Sequence, residues 1–321
     1  MIQDLCICPP TLQHPQRSLN MNILILGNCE DCHAAHLKEA LTQAGVRAEY
    51  LDTSCFPTRI SLSWQPDTQD GYLTLADGCR LHLRAIESVF WRSFSGIQIP
   101  PIQDVYQQRI ATNDAMSALR SIMQGTSIRW INSWQAYQFY KEKPLQLKLA
   151  KDLGLAIPPT LISNDPDAII EFVQSHEKLI FKPVYGGAHT QPLTDAHLES
   201  ERLSLALSFS PVTIQEYIPG TNIRSYVIGE SIYSAEIRSS SLDFREDRDA
   251  QLIPIELPLA MQQQCLAITK AFFLEWTAID WRLKPNGEYI FLEANPSPMF
   301  LHFERQTGFP ITQELVKLLI G

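Results

Sequence analysis

The feature that most constrains this sequence is a pair of apolar stretches, AIDWRL (278–283) and EYIFLEANPSP (288–298), that carry acidic side chains. The loop between them contains an Asn-Gly pair, which predicts a β-hairpin. Within the second stretch, Glu293 and Asn295 are two residues apart, so a strand places them on the same face. Asp280 lies in the middle of the first stretch, where a charged group is costly unless it is paired or binds a metal.

The predicted hairpin brings Asp280, Glu293 and Asn295 to one face of two adjacent strands. Carboxylate and amide oxygens are ligands that Mg²⁺ prefers in proteins, so the pattern indicates a magnesium site. On these residues alone, a pair of edge-strand carboxylates facing water is an equally good interpretation.

The composition narrows the class of protein. A chain of 321 residues is long enough for two or three compact lobes, and 45% hydrophobic with 19% charged residues is an ordinary globular balance. A net charge of −9 argues against coating nucleic acid or anionic lipid. No apolar run is long enough to span a bilayer, and we expect a cytoplasmic protein without nucleic-acid or membrane partners.

Three regions are expected along the chain. Residues 1–20 form a polar, proline-bearing tail without the features of a signal peptide; we expect it to be either disordered or not translated, with Met21 as the alternative start. A strand, a helix and a second strand then predict a parallel sheet within an N-terminal domain, 21–134. A helix and two β-rich units follow in a second domain, 135–321. The expected fold class is therefore mixed, α/β with α+β character.

The cysteines indicate a reducing compartment, because the chain has seven of them and no export signal. Cys29 and Cys32 form a CxxC pair followed by His33, which is typical of a redox pair or half of a metal site. We favour the simpler interpretation of two thiols at the start of a helix, since no second CxxC or histidine cluster completes a zinc site.

A lysine and two glycines stand at the end of the apolar strand in LIFKPVYGGA (179–188). Lys182 is placed to reach phosphate groups there, and Gly186–Gly187 allow the backbone to approach a ligand closely. A solvated hairpin tip is the alternative interpretation.

A second strand end, in IQEYIPG, comprises residues 216–218 before Pro219–Gly220. The backbone groups of such a strand end can pair with the edge of an adenine ring. A plain boundary between a strand and a turn is the alternative.

The order of these segments resembles the ATP-grasp superfamily, and within it the RimK-like ligases, over about 141–321. The segments LDTSCFPT and VFWRSF in the first third are similar to the N-terminal lobe of graspetide (microviridin-type) peptide macrocyclases, as are PPTLIS and the ending FERQTGFPITQELVKLL. This resemblance implies an ATP-grasp fold with an N-terminal pre-ATP-grasp lobe built on a parallel sheet.

The resemblance also implies roles for individual residues. Asn222 stands where many relatives carry an acid near the ribose, which is a departure from the pattern. The implied cofactor-binding residues are Lys143, Lys182, Gly186, Gly187, Glu216, Tyr217, Ile218 and Asn222; the implied catalytic residues are Arg224, Arg238 and Arg245; the implied metal ligands are Asp280, Glu293 and Asn295.

The implied reaction uses ATP and two Mg²⁺ ions, with Mn²⁺ as an alternative. It activates a peptide or small-molecule carboxylate as an acyl phosphate, and it yields ADP and phosphate. The first hypothesis is ω-ester or ω-amide formation on a ribosomal peptide by a homodimeric enzyme. Two alternatives stay open: a ligase that adds a free amino acid to a protein or small molecule, and an ATP-binding module without catalysis. The stretch NPSPMFLHFE replaces the NPxGQ-type stretch of many macrocyclases, so the substrate is expected to differ.

Overall fold

The computed structural model describes residues 22–239 and 249–321. The predicted tail at 1–20, Met21 and the predicted catalytic Arg245 lie outside the described residues. Within the described ranges, no helix is long and apolar enough to cross a membrane.

The N-terminal region forms a parallel sheet, as the sequence predicts. Asp31 begins the first helix, because its carboxylate accepts hydrogen bonds from the backbone N–H groups of His33 and Ala34. The elements are β1 (Asn22–Leu26), α1 (Cys32–Gln43), β2 (Arg47–Leu51), β3 (Ser61–Gln65), β4 (Asp70–Thr74), β5 (Arg80–His82), β6 (Ile86–Trp91), α2 (Val105–Gly125) and β7 (Arg129–Ile131). The parallel sheet has the order β2-β1-β6-β7.

Two details of this region were not expected. Strands β3, β4 and β5 form a separate antiparallel sheet. The sequence pattern around 128–132 suggests only a link between the two domains, but Arg129–Ile131 pair with β6 as the fourth parallel strand. A three-residue strand leaves too short an apolar run to be distinguished from a linker by its pattern.

The second region contains two antiparallel sheets that face each other. Its elements are α3 (Trp134–Lys141), α4 (Lys143–Asp152), β8 (Thr160–Ser163), α5 (Pro166–Gln174), β9 (Leu179–Pro183), β10 (Gln191–Pro192), α6 (Ser200–Phe209), β11 (Val212–Glu216), β12 (Thr221–Ile228), β13 (Ser231–Arg238), β14 (Gln251–Ile255), α7 (Leu259–Ala271), β15 (Trp276–Leu283), β16 (Tyr289–Asn295), α8 (Leu301–Thr307) and α9 (Ile311–Ile320). The central sheet has the order β10-β9-β11-β8, and the C-terminal sheet has the order β14-β13-β12-β15-β16.

One hydrophobic core joins the N-terminal sheet to the C-terminal sheet. It contains Ile25 and Phe90 from the first sheet, together with Trp276, Phe300 and Leu315 from the second region. The rings of Phe90 and Trp276 lie 5.4 Å apart between centroids. Burial of large apolar and aromatic side chains is the dominant favourable term in folding, so the two regions are held at a defined separation.

A buried glutamine fastens α4 to the edge strand β16. The side-chain amide of Gln146 accepts a hydrogen bond from the backbone N–H of Ala294 at 3.0 Å and donates one to its carbonyl at 3.3 Å. An edge strand otherwise leaves such backbone groups unpaired. Lys143 lies one helical turn before Gln146 and therefore on the same face of α4, so this contact directs Lys143 toward β16.

Gly220 allows a close approach between two parts of the chain that build the site. Its φ is +136°, and a Cβ at this position would lie 2.1 Å from the carbonyl oxygen of Leu283. Only glycine adopts this conformation at such a distance. The IPG turn after β11 therefore packs directly on the end of β15.

Replacing this glycine tests how strongly the turn depends on the close approach. We expect Gly220→Ala to lower the free energy of unfolding by roughly 2–5 kcal/mol, because backbone strain and overpacking add at this position. The matched control is Gly287→Ala, where φ is +87° and a Cβ would meet nothing within 4 Å, with an expected cost of about 1–2 kcal/mol. Urea unfolding measures both, and equal losses would contradict the role of the contact with Leu283.

Candidate active site

A cavity of about 540 Å³ lies between the central and C-terminal sheets. Its size is within the range of small-molecule sites. Among the described residues, five basic and three acidic side chains line it, in a chain whose net charge is −9. The basic residues are Arg92, Lys143, Lys182, Arg224 and Arg282, and the acidic residues are Glu216, Asp280 and Glu293. The local excess of positive charge favours an anionic ligand.

Asp280 and Arg224 form a bidentate ion pair across two neighbouring strands. The two residues are directly opposite each other in the β12–β15 ladder. The Nε and Nη2 atoms of Arg224 donate to the two carboxylate oxygens, each at 2.7 Å. Although burial opposes the positive charge, Asp280 raises the pKa of the Arg224 guanidinium. The mid-strand acid predicted to need a partner therefore has one.

Glu293 is opposite Asp280 in the β15–β16 hairpin, as the Asn-Gly loop predicts. Its carboxylate forms an ion pair with the ammonium group of Lys143. Gly186 packs directly on this lysine, since a Cβ at residue 186 would lie 3.2 Å from the Cε atom of Lys143. The glycine loop thus closes over Lys143, and the structure brings three of the predicted site residues into contact.

Lys182 is held on the opposite wall of the cavity. Its Nζ donates a hydrogen bond of 3.1 Å to the side-chain oxygen of Gln215, which is buried in β11. The amide nitrogen of Gln215 donates in turn to the hydroxyl of Thr160 at 2.8 Å. These two consecutive hydrogen bonds orient the ammonium group of Lys182, because Thr160 holds the amide of Gln215 that accepts from it.

The strand end at 216–218 lines the same cavity at its other end. Arg282 donates from Nε to the carbonyl of Ile218 at 3.0 Å, and from Nη1 to the side-chain oxygen of Asn222 at 2.8 Å. Burial lowers the pKa of Arg282, and Tyr217 opposes that shift. Arg282 thus ties the segment after β11 to the C-terminal sheet.

Asp280, Glu293 and Asn295 emerge from adjacent strands into the cavity. The side-chain oxygen of Asn295 accepts the backbone N–H of Ser297 at 2.9 Å. Two carboxylates and one amide oxygen form a hard donor set that fits Mg²⁺. The described residues hold no group of three or more His, Cys, Asp or Glu side chains arranged for a metal.

Arg238 does not line the cavity that holds the other predicted residues. By strand alternation its side chain belongs to the face of the C-terminal sheet opposite Arg224. It pairs with Glu236 at 2.9 Å and is 61% exposed. It lines a neighbouring cavity of about 520 Å³, which also contacts Tyr217, Asn222 and Arg282.

Sequence reasoning missed one residue that lines the cavity, Arg92, and one buried contact outside its lining, that of His33. Arg92 follows β6 and lines the cavity. The sequence feature that could have identified it is its position at the carboxyl end of a parallel strand, where ligands commonly bind. His33 is buried in α1, and its Nδ1 accepts hydrogen bonds from the backbone N–H groups of Phe300 and Leu301 at 3.3 and 3.4 Å. A lone histidine after a CxxC pair offers no signal for that contact.

Cys29 and Cys32 are exposed free thiols. Asp31 between them caps α1 and pairs with Arg92 at 3.0 Å. The local sequence therefore serves the helix start and an ion pair within the N-terminal region, which agrees with the simpler interpretation of the two thiols.

Two facing antiparallel sheets with lysines, arginines and carboxylates between them are the arrangement of the ATP-grasp class of folds. The chain belongs to the RimK-like ATP-grasp family, since the model of the RimK-like ATP-grasp domain matches residues 140–319. The model of the MvdD pre-ATP grasp domain matches residues 22–138.

Two solved structures are similar along nearly the whole chain. The macrocyclase MdnC of Microcystis aeruginosa MRC, bound with precursor peptide MdnA, has 29% identity and a TM-score of 0.82, covering 94% of this chain and 99% of that chain. The ATP-grasp ligase PsnB, complexed with minimal precursor, Mg and ADP, has 28% identity and a TM-score of 0.78, covering 94% and 97%.

A curated relative, the probable alpha-L-glutamate ligase of Picosynechococcus sp., is 24% identical over 201 residues, or 59% of this chain. The chain spans 38% and 66% of the length of the curated relatives it matches.

The His33 contact predicts a pH dependence. Burial and the neighbouring Arg92 lower the pKa of His33 below 6.5, with Asp31 opposing and His36 and Arg305 adding to the shift. The unfolded chain therefore binds the proton more readily, and stability is lost as pH falls below about 6.5. We expect the melting temperature to fall less between about pH 7.5 and pH 5.5 in His33→Asn, whose amide oxygen accepts hydrogen bonds without titrating.

Differential scanning fluorimetry of both proteins at the two pH values makes the comparison. The exposed histidine of α8 supplies the control, His302→Asn, which should keep the wild-type pH dependence. An equal fall in wild type and His33→Asn would show that this contact does not titrate.

Proposed function

We propose that this protein is an ATP-dependent ligase that activates a side-chain carboxylate of a peptide and joins it to a hydroxyl or amine, forming an ω-ester or ω-amide. The observation that carries the proposal is the cavity in which Lys143–Glu293, Arg224–Asp280 and Lys182 converge between two sheets. The similarity to MdnC and PsnB over nearly the whole chain supports a peptide as substrate.

In this proposal the adenine lies at residues 216–218 and the ribose at Asn222, while Lys143, Lys182 and the loop of Gly186 and Gly187 bind the phosphates. Lysine ammonium groups and backbone N–H groups suit polyphosphate. Asp280, Glu293 and Asn295 would hold one or two Mg²⁺ ions, which neutralise charge on the phosphoryl oxygens. Mn²⁺ prefers the same oxygen ligands.

No side chain of the protein needs to act as a nucleophile. The substrate carboxylate attacks the γ-phosphorus of ATP, ADP leaves, and the acyl phosphate is then attacked by the hydroxyl or amine with loss of phosphate. Catalysis of phosphoryl transfer consists mainly of positioning and charge stabilisation. The fixed arginine and lysines of the cavity perform those tasks, with Arg224 preorganised by Asp280.

The pairing of Lys143 with Glu293 has a consequence for binding. Glu293 would bind the metal and Lys143 would bind phosphate, but here the two side chains are paired with each other. A phosphate group that attracts Lys143 would release Glu293 for the cation, so nucleotide and metal are expected to strengthen each other's binding.

Nucleotide affinity measured with and without Mg²⁺ tests this coupling. We expect Mg²⁺ to tighten ADP binding by about fivefold or more in the wild type, which is the lower end of typical coupling energies. Glu293→Gln should lose this gain, because an amide replaces the charged ligand. The control is Glu288→Gln, an exposed acid of the same hairpin that pairs with Lys284. Isothermal titration calorimetry gives the values, and an undiminished gain in Glu293→Gln would remove Glu293 from the metal site.

A second candidate function is addition of a free amino acid to a protein or small molecule. The match to a probable alpha-L-glutamate ligase favours it. A nucleotide-binding module without catalysis is the third candidate, and it gives no reason for a metal-binding triad facing two lysines.

Product analysis separates these functions. The protein is incubated with Mg-ATP and pools of acidic peptides or free amino acids, and ADP, AMP and phosphate are resolved. We expect ADP and phosphate that depend on an acceptor. Lys182→Ala and Glu293→Ala should reduce this rate about 100-fold or more, since the first removes a positive charge beside the phosphates and the second removes a proposed ligand of the Mg²⁺ that neutralises them. Lys284→Ala and Glu288→Gln, on the exposed hairpin loop, should not.

Mass spectrometry of the peptide then identifies the bond-forming step. Loss of one water without added mass indicates an intramolecular ester or amide, whereas a gain equal to one amino-acid residue indicates the second function. AMP with pyrophosphate would overturn the acyl-phosphate mechanism. Light scattering tests the homodimer implied by the resemblance.

A further inference from the structure

Arg92 reaches the active-site cavity from the N-terminal sheet. It is the first residue after β6, at the carboxyl end of a central parallel strand, and its backbone N–H donates to the carbonyl of Leu26 at 3.1 Å. Gly27, just after β1, lies beside it, since a Cβ at residue 27 would be at an ordinary van der Waals distance of 3.7 Å from the Cβ of Arg92. The side chain therefore extends from the N-terminal sheet toward the cavity between the other two sheets.

The guanidinium of Arg92 is fixed from two sides and is only 11% exposed. Its Nε pairs with Asp31 at 3.0 Å. Its Nη1 donates to the carbonyl and the hydroxyl of Ser297, each at 3.0 Å. Within the described part of the chain, Nη2 makes no hydrogen bond. The contacts of Nε and Nη1 hold the guanidinium at the cavity, while the N–H groups of Nη2 can donate to a ligand. Such a guanidinium is suited to bind an anion there.

The contacts of Arg92 place it at the metal end of the cavity. Ser297, which receives two of its hydrogen bonds, donates its own backbone N–H to the metal-ligand candidate Asn295 at 2.9 Å. Arg92 and Arg224 line the same cavity, and the strand end at 216–218 is held by Arg282 instead.

We propose that Arg92 binds the substrate carboxylate and the acyl phosphate formed from it. This inference rests on the proposed function. A carboxylate oxygen forms a bond to the γ-phosphorus while the bond from that phosphorus to the bridging oxygen breaks, and ADP leaves with the electron pair. The two N–H groups on Nη2 donate to oxygens of the reacting carboxylate and of the transferred phosphoryl group. Asp31 and Ser297 hold the fork in place before the substrate arrives.

A purely structural role is the competing explanation, and the chain provides a matched control for it. Arg129 on β7 also leaves the N-terminal sheet to pair with an acid of the C-terminal region, Glu275, and it donates to the carbonyl of Leu318 at 2.7 Å. Arg129 does not line the active-site cavity. If Arg92 only fastens the two regions, Arg92→Gln and Arg129→Gln should behave alike.

The test is the binding of acetylphosphonate, a stable analogue of an acyl phosphate, to protein saturated with Mg-ADP. We expect Arg92→Gln to raise the dissociation constant of acetylphosphonate about ten- to a hundredfold, as expected for a charged hydrogen bond. The dissociation constant of Mg-ADP should stay within about twofold, and Arg129→Gln should change neither value. If Arg92→Gln does not fold, Arg92→Lys replaces it, since lysine keeps the charge but cannot bridge Asp31, Ser297 and a ligand at once.

The outcomes separate the two proposals. Failure of the wild type to bind Mg-ADP would overturn the proposed function itself. Mg-ADP binding with no detectable acetylphosphonate binding in the wild type would overturn the assignment of Arg92. The same conclusion follows if Arg92→Gln binds acetylphosphonate as the wild type does, or if Arg129→Gln loses as much affinity as Arg92→Gln.

Discussion

The buried acid in the middle of β15 is the constraint on which this site depends. An ionised carboxylate removed from water must be paired, and Asp280 is paired by Arg224 from the neighbouring strand. That requirement places an arginine and two carboxylates side by side on one sheet face, since Glu293 is opposite Asp280 on the other side. The central sheet then covers this face, so these polar side chains line the cavity between the two sheets.

The remaining contacts of the site preserve this arrangement. Gln146 pairs α4 with the edge of β16, which holds Lys143 against Glu293. Gly220 lets the turn after β11 reach the end of β15, and Arg282 then joins that turn to the C-terminal sheet. These contacts depend either on a close approach of the backbone or on a buried hydrogen bond. Small displacements would break contacts of both kinds.

The N-terminal sheet contributes more than a platform. Its core is continuous with that of the C-terminal sheet through Phe90 and Trp276. One charged side chain from it meets the loop after β16, where Arg92 contacts Ser297 and is itself held by Asp31. His33 joins the same loop by accepting the first N–H groups of α8. This loop is thus shaped by residues that lie more than 200 positions earlier in the chain.

By itself the sequence determined the local structures that carry the chemistry. The Asn-Gly loop, strand alternation and a mid-strand acid were enough to place Asp280 opposite Glu293, because strand period and turn chemistry are local properties. The strand–helix–strand pattern likewise predicted the parallel sheet. The glycine loop after β9 was identified from its residues, although its contact with Lys143 was not.

Only the tertiary structure decided which distant side chains meet at the site. Arg92 reached the cavity and Arg238 faced a different one, although both are arginines at strand ends with similar local sequence signals. The difference arises from which sheet edge faces the central sheet, and from which face alternation assigns to β13. Sheet packing is fixed by long-range burial of apolar surface, and no local pattern in a single sequence encodes it.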